Sequence, residues 1–387
     1  MKWTGTEACK TVISADPDKA RALVRTRGRS RRTTRPSLRQ RISTREAFQT
    51  IARAALSQIA ANATVLSRGQ DAEAVHQVRV AARRLRCALS MFRPMVDDDG
   101  LAHVKGELRW LAQAMNDARD LDVFLSETAE PARTQSDATL DLDTLIAEVK
   151  SARVAAHARV QARLTSDRYR SLLREVDAWV ERGDWLSDDR PGAQRQRRRS
   201  ARDFGVEALD KRWRKLIKRG RSLKKQTTAE RHQVRMEAKK LRYAAEAFAP
   251  FFPGRHVTRF IARAKALQDD LGALNDIATA RSVVGKLRMA SGPAFTAGRL
   301  VGARTADAAQ AISQAVSVLK RLKRAGPFWR AHPVFSGRLR QAAQPQPVAQ
   351  HLQATSHART PATAPSSSST NTAKAQNPSP HPCPAPR

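Results

Sequence analysis

The feature that most constrains this chain is a segment it carries twice. Val75-His76-Gln77-Val78-Arg79, continued by Ala82-Arg83-Arg84-Leu85-Arg86, returns as Arg231-His232-Gln233-Val234-Arg235, continued by Ala238-Lys239-Lys240-Leu241-Arg242, at an offset of 156 residues. A second set keeps the same offset: Leu111, Met115, Arg119 and Asp120 are matched by Leu267, Leu271, Asn275 and Asp276. Two matched segments at an unchanged separation are hard to obtain by chance, so the expectation is two equivalent halves from an internal duplication.

Both copies read as helices. At about 100° per residue, His76, Arg79, Arg83 and Arg86 fall within an arc of roughly 80°, about 15 Å long. Val78, Ala82, Leu85, Leu89 and Phe92 fill a neighbouring arc. The second copy repeats the cationic stripe with His232, Arg235, Lys239 and Arg242, and the apolar one with Val234, Ala238, Leu241, Ala245 and Phe248. Between the two ends of the chain no run alternates in the manner of a strand, and long stretches rich in Ala, Leu, Arg, Gln and Glu favour helix. The fold class is all-α.

Breaks in the periodic pattern set the organisation. Residues 1–41 form a basic arm, dense in Arg from Arg21 to Arg41, with little to bury and an expectation of disorder. Helical character starts near Arg45, where Phe48, Ile51, Ala52, Ala55, Leu56 and Ile59 recur at three- and four-residue steps. The helical domain is expected over 42–328, with a first half at 42–187, a linker at 188–199 marked by Pro191 and Gly192, and a second half at 200–328. Residues 329–387, rich in Pro, Ser and Ala, are expected to be a disordered tail; from residue 331 on they contain no Asp or Glu.

Charge narrows the function. The 387 residues hold 71 Lys and Arg against 36 Asp and Glu, a formal net charge of +35. Such a surplus repels itself unless anions screen it, so the partner is expected to be a polyanion. Aromatics are only 5%, which disfavours base-stacking capture of single strands. The cysteines Cys9, Cys87 and Cys383 form neither a disulfide framework nor a zinc spacing, and fit a reducing, cytoplasmic setting. No apolar run approaches the ~18–20 residues of a membrane span.

Arg presents a planar fork of donors suited to phosphate oxygens, Lys adds a point charge, and His donates from both nitrogens when phosphates hold it protonated. The expected anion-binding set is therefore His76, Arg79, Arg83, Arg86, His232, Arg235, Lys239 and Arg242, with Arg84, Lys240, Arg109 and Lys265 as a second tier. Other readings stand beside this one. An Arg stripe is often a solvated helix face, and His76 could serve the bundle by capping or hydrogen bonding. What favours binding is that both copies keep a cation at each matched position while exchanging Arg83 for Lys239. Asp120 and Asp276 are read as structural, either pairing with a stripe cation or capping the next helix, because a carboxylate facing a polyanion repels it.

These residues resemble the CHAD family, the conserved-histidine α-helical domain. The resemblance is carried by the repeated His-Gln-Val-Arg segments at 76–86 and 232–242, by Ala118-Arg119-Asp120-Leu121-Asp122-Val123, and by Leu267-Gln268-Asp269-Asp270-Leu271-Gly272 with Asn275-Asp276. It spans about residues 42–328. It implies two pseudo-symmetric four-helix bundles with a basic groove or pore between them, and binding of inorganic polyphosphate. In some members it implies association with polyphosphate granules. Many relatives also carry an N-terminal triphosphate-tunnel domain, for which residues 1–41 are expected to be too short. The halves differ at Asn116 against Gly272 and at Arg119 against Asn275.

Three functions compete at this stage. The first is non-catalytic polyphosphate binding, with no cofactor and no metal. The alternative is a nucleic-acid-binding basic helical protein, and non-specific nucleic-acid binding through the basic tails is compatible with either. A phosphohydrolase is weakly motivated, because no paired carboxylates and no phosphate-cradling glycine loop stand out. The oligomeric state is left open.

Overall fold

The structure, a computed structural model, describes residue 30 and residues 37–133 and 140–331. The described part is helical, and its only β-type pairing is an isolated bridge between Ser43 and Ser200. The main helices are α1 (Thr44–Leu66), α2 (Ala72–Met91), α3 (Gly100–Ala114), α4 (Asn116–Phe124), α5 (Leu142–Leu164), α6 (Asp167–Arg182), α7 (Pro191–Arg198), α8 (Ala201–Arg219), α9 (Thr228–Phe248), α10 (Arg255–Lys286), α11 (Ser291–Ala306) and α12 (Ala308–Ala325). The segments expected to be a disordered arm and tail lie mostly outside the described residues, as do Cys9 and Cys383.

Local signals account for where the key helices begin. Ser43 and Glu46 form a capping box on α1, and Thr227 and Glu230 form another on α9. Asp71 caps α2 by accepting from the Ala74 N–H at 2.8 Å. The helices that carry the two matched segments, α2 and α9, start 156 residues apart, the offset seen in the sequence. Further along the halves diverge. A break at Met115 separates α3 from α4, whereas α10 runs 32 residues without interruption.

Burial follows the apolar stripes. Val78, Ala82, Leu85, Leu89 and Phe92 are buried, as are Val234, Ala238, Leu241, Ala245 and Phe248. The stripes end at each other: the Phe92 and Phe248 rings lie 6.2 Å apart, and Phe204 of α8 stacks on Phe92 at 4.7 Å. Gly205 is required beside this junction, because a Cβ there would stand 2.8 Å from the Phe248 ring. Helix α2 packs against α1, α3, α4 and α9, and α9 packs in turn against α8 and α10. A hydrogen-bonded seam ties the starts of α1 and α8: the Thr44 N–H donates to the Arg199 carbonyl at 2.8 Å, and the Ala201 N–H to the Ile42 carbonyl at 3.0 Å.

Three boundaries differ from expectation. The 188–199 stretch is folded: Pro191 takes the first turn of α7, where its missing N–H costs nothing, and Arg197 is buried. The Arg197 guanidinium donates to the carbonyls of Trp185 and Asp188, satisfying a charge that periodicity could not show as interior. The core also runs past residue 328, because a 3-10 turn over Phe328–Ala331 places Trp329 fully inside against Trp213 and Phe260. At the other end, Leu38 is buried and Gln40 donates to the Pro250 carbonyl at 2.7 Å, so the last residues of the expected arm pack on the helices.

Candidate functional site

The α2–α9 pairing gathers cations from both matched segments. Arg79 and Arg83 come from α2, and Arg235 and Lys239 from α9. Helices α4 and α10, which pack on α2 and α9 respectively and on each other, close the surroundings with Asn116, Arg119 and Asp120 on one side and Gly272, Asn275 and Asp276 on the other.

Arg79, Arg235 and Lys239 are each held against their own preference. Burial, and then the Arg83 charge, push the Arg79 guanidinium down to about 10, although Asp120 works the other way. One Arg79 nitrogen donates to the Asn116 side-chain carbonyl. Arg235 is also lowered, by burial first and with Arg83 adding to it, while Asp276 opposes the shift. Its guanidinium lies across Gly272, where a Cβ would come within 3.3 Å of Nη2, and its Nε is buried without a hydrogen-bond partner. Lys239 is 7% exposed. Burial and then Arg83, Arg235 and Arg242 push its ammonium down to about 7. Like charges in a poorly solvated place are costly without a counter-charge.

His76 is half-buried, and its imidazole is pushed below its usual value by burial and then by Arg119, with Arg83 and Arg79 contributing. Arg86 lies at the exposed end of the α2 stripe, lowered by burial and then by the exposed Arg109 of α3. Both extend the cluster along α2.

The structure leaves other expected residues elsewhere. His232 is exposed at the start of α9, so the two His positions are not equivalent. Arg242 lies near Lys239, but its guanidinium pairs with Glu246, donates to the Gln268 side-chain carbonyl at 3.0 Å, and rests on the Tyr243 ring at 4.5 Å. Arg84 reaches across from α2 to the same Glu246 at 2.7 Å, and Lys240 pairs with Glu237 at 2.8 Å. Arg84 and Lys240 line a different cavity, with Cys87 and Arg212. Lys265 is exposed and paired with Asp269 one turn along α10. Asp120 and Asp276 stand inside α4 and α10, which removes the capping alternative and leaves the influence on Arg79 and Arg235.

Sequence reasoning passed over Asn116 and Gly272 as supports for the two arginines. A signal existed: they occupy the same repeat position, as do Arg79 and Arg235, so one arginine has an amide acceptor and the other a bare backbone. It also missed the buried Asp122, which receives Arg153 at 2.6 Å and His157 at 3.1 Å from α5. Those partners sit more than 30 residues away and share no motif with it. Among the described residues no three His, Cys, Asp or Glu side chains cluster to hold a metal ion, and no helix is long and apolar enough to cross a membrane.

A strand-free helical framework that brings buried cations from two matched helices together defines an all-α protein built around a cationic cluster. The chain belongs to the CHAD domain family, whose model matches residues 50–285. It is similar to the crystal structure of the CHAD domain from the plant Ricinus communis, with 26% identity and a TM-score of 0.66, over 75% of this chain and 96% of that one. Its fold is also that of PptA from Streptomyces chartreusis, at 18% identity and a TM-score of 0.52, over 72% of this chain and 100% of that one. No curated protein sequence matches the chain.

Proposed function

We propose that the chain binds inorganic polyphosphate on the Arg79, Arg83, Arg235 and Lys239 cluster, without turning it over, and that this binding serves attachment to polyphosphate granules. The observation that carries the reading is the convergence of these four cations from two helices onto one place where burial already depresses three of them. A linear anion with one charge per repeating unit answers several fixed cations at once, and each phosphate suits the fork of an arginine. Membership of the CHAD family supports the same ligand class. No cofactor, metal or membrane enters the proposed role, and the protein is proposed to act as a binding module.

The test titrates long-chain polyphosphate into the full chain by calorimetry at several salt concentrations, with duplex DNA as competitor and phosphate release followed in parallel. The expected result is tight, salt-sensitive binding that resists DNA, releases no phosphate, and is lost in Arg79→Ala/Arg83→Ala/Arg235→Ala/Lys239→Ala. Equal or better binding of DNA, or a variant that binds as the wild type does, would refute the site and favour the nucleic-acid reading through the basic arm.

A further inference from the structure

Away from the cluster, a cleft of about 480 Å³ opens between the end of α2, the turn after it, and helices α8 and α9. Its cations differ in how they are held. Arg93 pairs with Asp97 at 3.2 Å, Arg190 with Asp188 at 2.6 Å, and Lys240 with Glu237 at 2.8 Å. Lys211 and Lys215 stand one helical turn apart on α8, about 6 Å along its axis, and both are exposed to the cleft. Arg212, between them in sequence, is different again. It is 8% exposed, and its one hydrogen bond is a long one, 3.4 Å from Nη2 to the Cys87 carbonyl. Among the described residues no carboxylate lies at ion-pair distance from Arg212, Lys211 or Lys215.

A buried guanidinium without a counter-ion is costly, and a protein usually pairs it or uses it. Glu237 is the acid that influences Arg212, but its carboxylate is engaged by Lys240. Arg212 also lines a smaller cavity of about 50 Å³, together with Arg84, Cys87 and Tyr243. Arg212 therefore lines both the smaller cavity and the basic cleft. A guanidinium of this kind, with two free lysines at the mouth, suits a compact anion with two or more charged phosphate oxygens.

We propose that this cleft is a second anion site, separate from the Arg79–Lys239 cluster, which takes a compact phosphate-bearing anion with Arg212 as its anchor and Lys211 and Lys215 at its mouth. The inference does not depend on the polyphosphate reading. The probe is inorganic pyrophosphate, titrated into the full chain by calorimetry. Saturable binding is expected in the wild type and in Arg79→Ala/Arg235→Ala. At least a tenfold loss is expected in Lys211→Gln/Lys215→Gln, whose altered side chains are exposed and leave the core untouched. In the Arg79→Ala/Arg235→Ala background, Arg212→Gln is expected to abolish binding, and the rise in melting temperature that pyrophosphate gives that background should vanish with it. If Arg212→Gln fails to fold, the two-lysine variant decides. Absence of saturable pyrophosphate binding in the wild type overturns the proposal. So does its loss in Arg79→Ala/Arg235→Ala, or its survival unchanged in the two-lysine variant.

Discussion

Lys239 gives the sharpest quantitative handle on the cluster, because its ammonium is held down to about 7 in the empty protein. Bound phosphates would supply the counter-charge that burial and three arginines deny it, and return its pKa toward the ordinary value near 10.4. At pH 8.5 the empty protein then carries a proton on Lys239 about 3% of the time and the complex almost always, so binding takes up about one proton. The sign follows: affinity is greatest below about pH 7 and weakens as pH rises, by roughly thirtyfold at pH 8.5. The other charges facing this group are Arg83, Arg235, Arg242 and Asp276. His76 stands nearby on α2, its imidazole pushed below the ordinary value by burial and then by Arg119. The assay is calorimetric titration of polyphosphate at pH 8.5 in two buffers of widely different ionisation enthalpy. The difference in apparent heat gives the protons taken up. In Lys239→Arg, which stays charged throughout, uptake should fall close to zero and affinity at pH 8.5 should rise above wild type. An uptake below about 0.2 proton in the wild type, or the same uptake in Lys239→Arg, would refute the reasoning, since linkage ties the two quantities together.

Three further outcomes are expected. Because the folded-state pKa of Lys239 lies below its unfolded value, its cost to stability is fully present below about pH 7 and is relieved as pH rises toward 10; melting temperature of the unliganded chain should therefore climb from pH 7 to 9 more steeply in the wild type than in Lys239→Met. Glu246→Ala strands Arg84 and Arg242 in a largely buried place and should cost about 3 kcal/mol in urea unfolding, whereas Glu246→Ala/Arg84→Met should recover part of it. Phe248→Ala opens the junction where Phe92, Phe204 and Phe248 meet and should cost about 3–5 kcal/mol; a loss under 1 kcal/mol would mean the two helix sets do not rely on that junction.

Much of this was legible in the chain by itself, and for a local reason. Helix periodicity, the capping pairs Ser43–Glu46 and Thr227–Glu230, and the two copies 156 residues apart depend on neighbours a few positions away, which a linear reading contains. So the strand-free class, the starts of α1, α2 and α9, and the stripes of Arg79, Arg83, Arg235 and Lys239 were all within reach. Periodicity cannot say which cation finds a partner across a helix pair. Arg84 of α2 was diverted across the helix pair to Glu246 of α9, whereas Arg242 and Lys240 pair inside α9 with Glu246 and Glu237, at four- and three-residue spacings that a linear reading does contain. Packing likewise turned Pro191–Arg198 of the 188–199 stretch into a helix that buries Arg197, and drew Trp329 into the core beyond the last apolar repeat. The depressed ammonium of Lys239 and the unpaired guanidinium of Arg212 belong to the tertiary structure alone. Both arise from desolvation, and how much water a side chain loses is decided by which distant helices close over it.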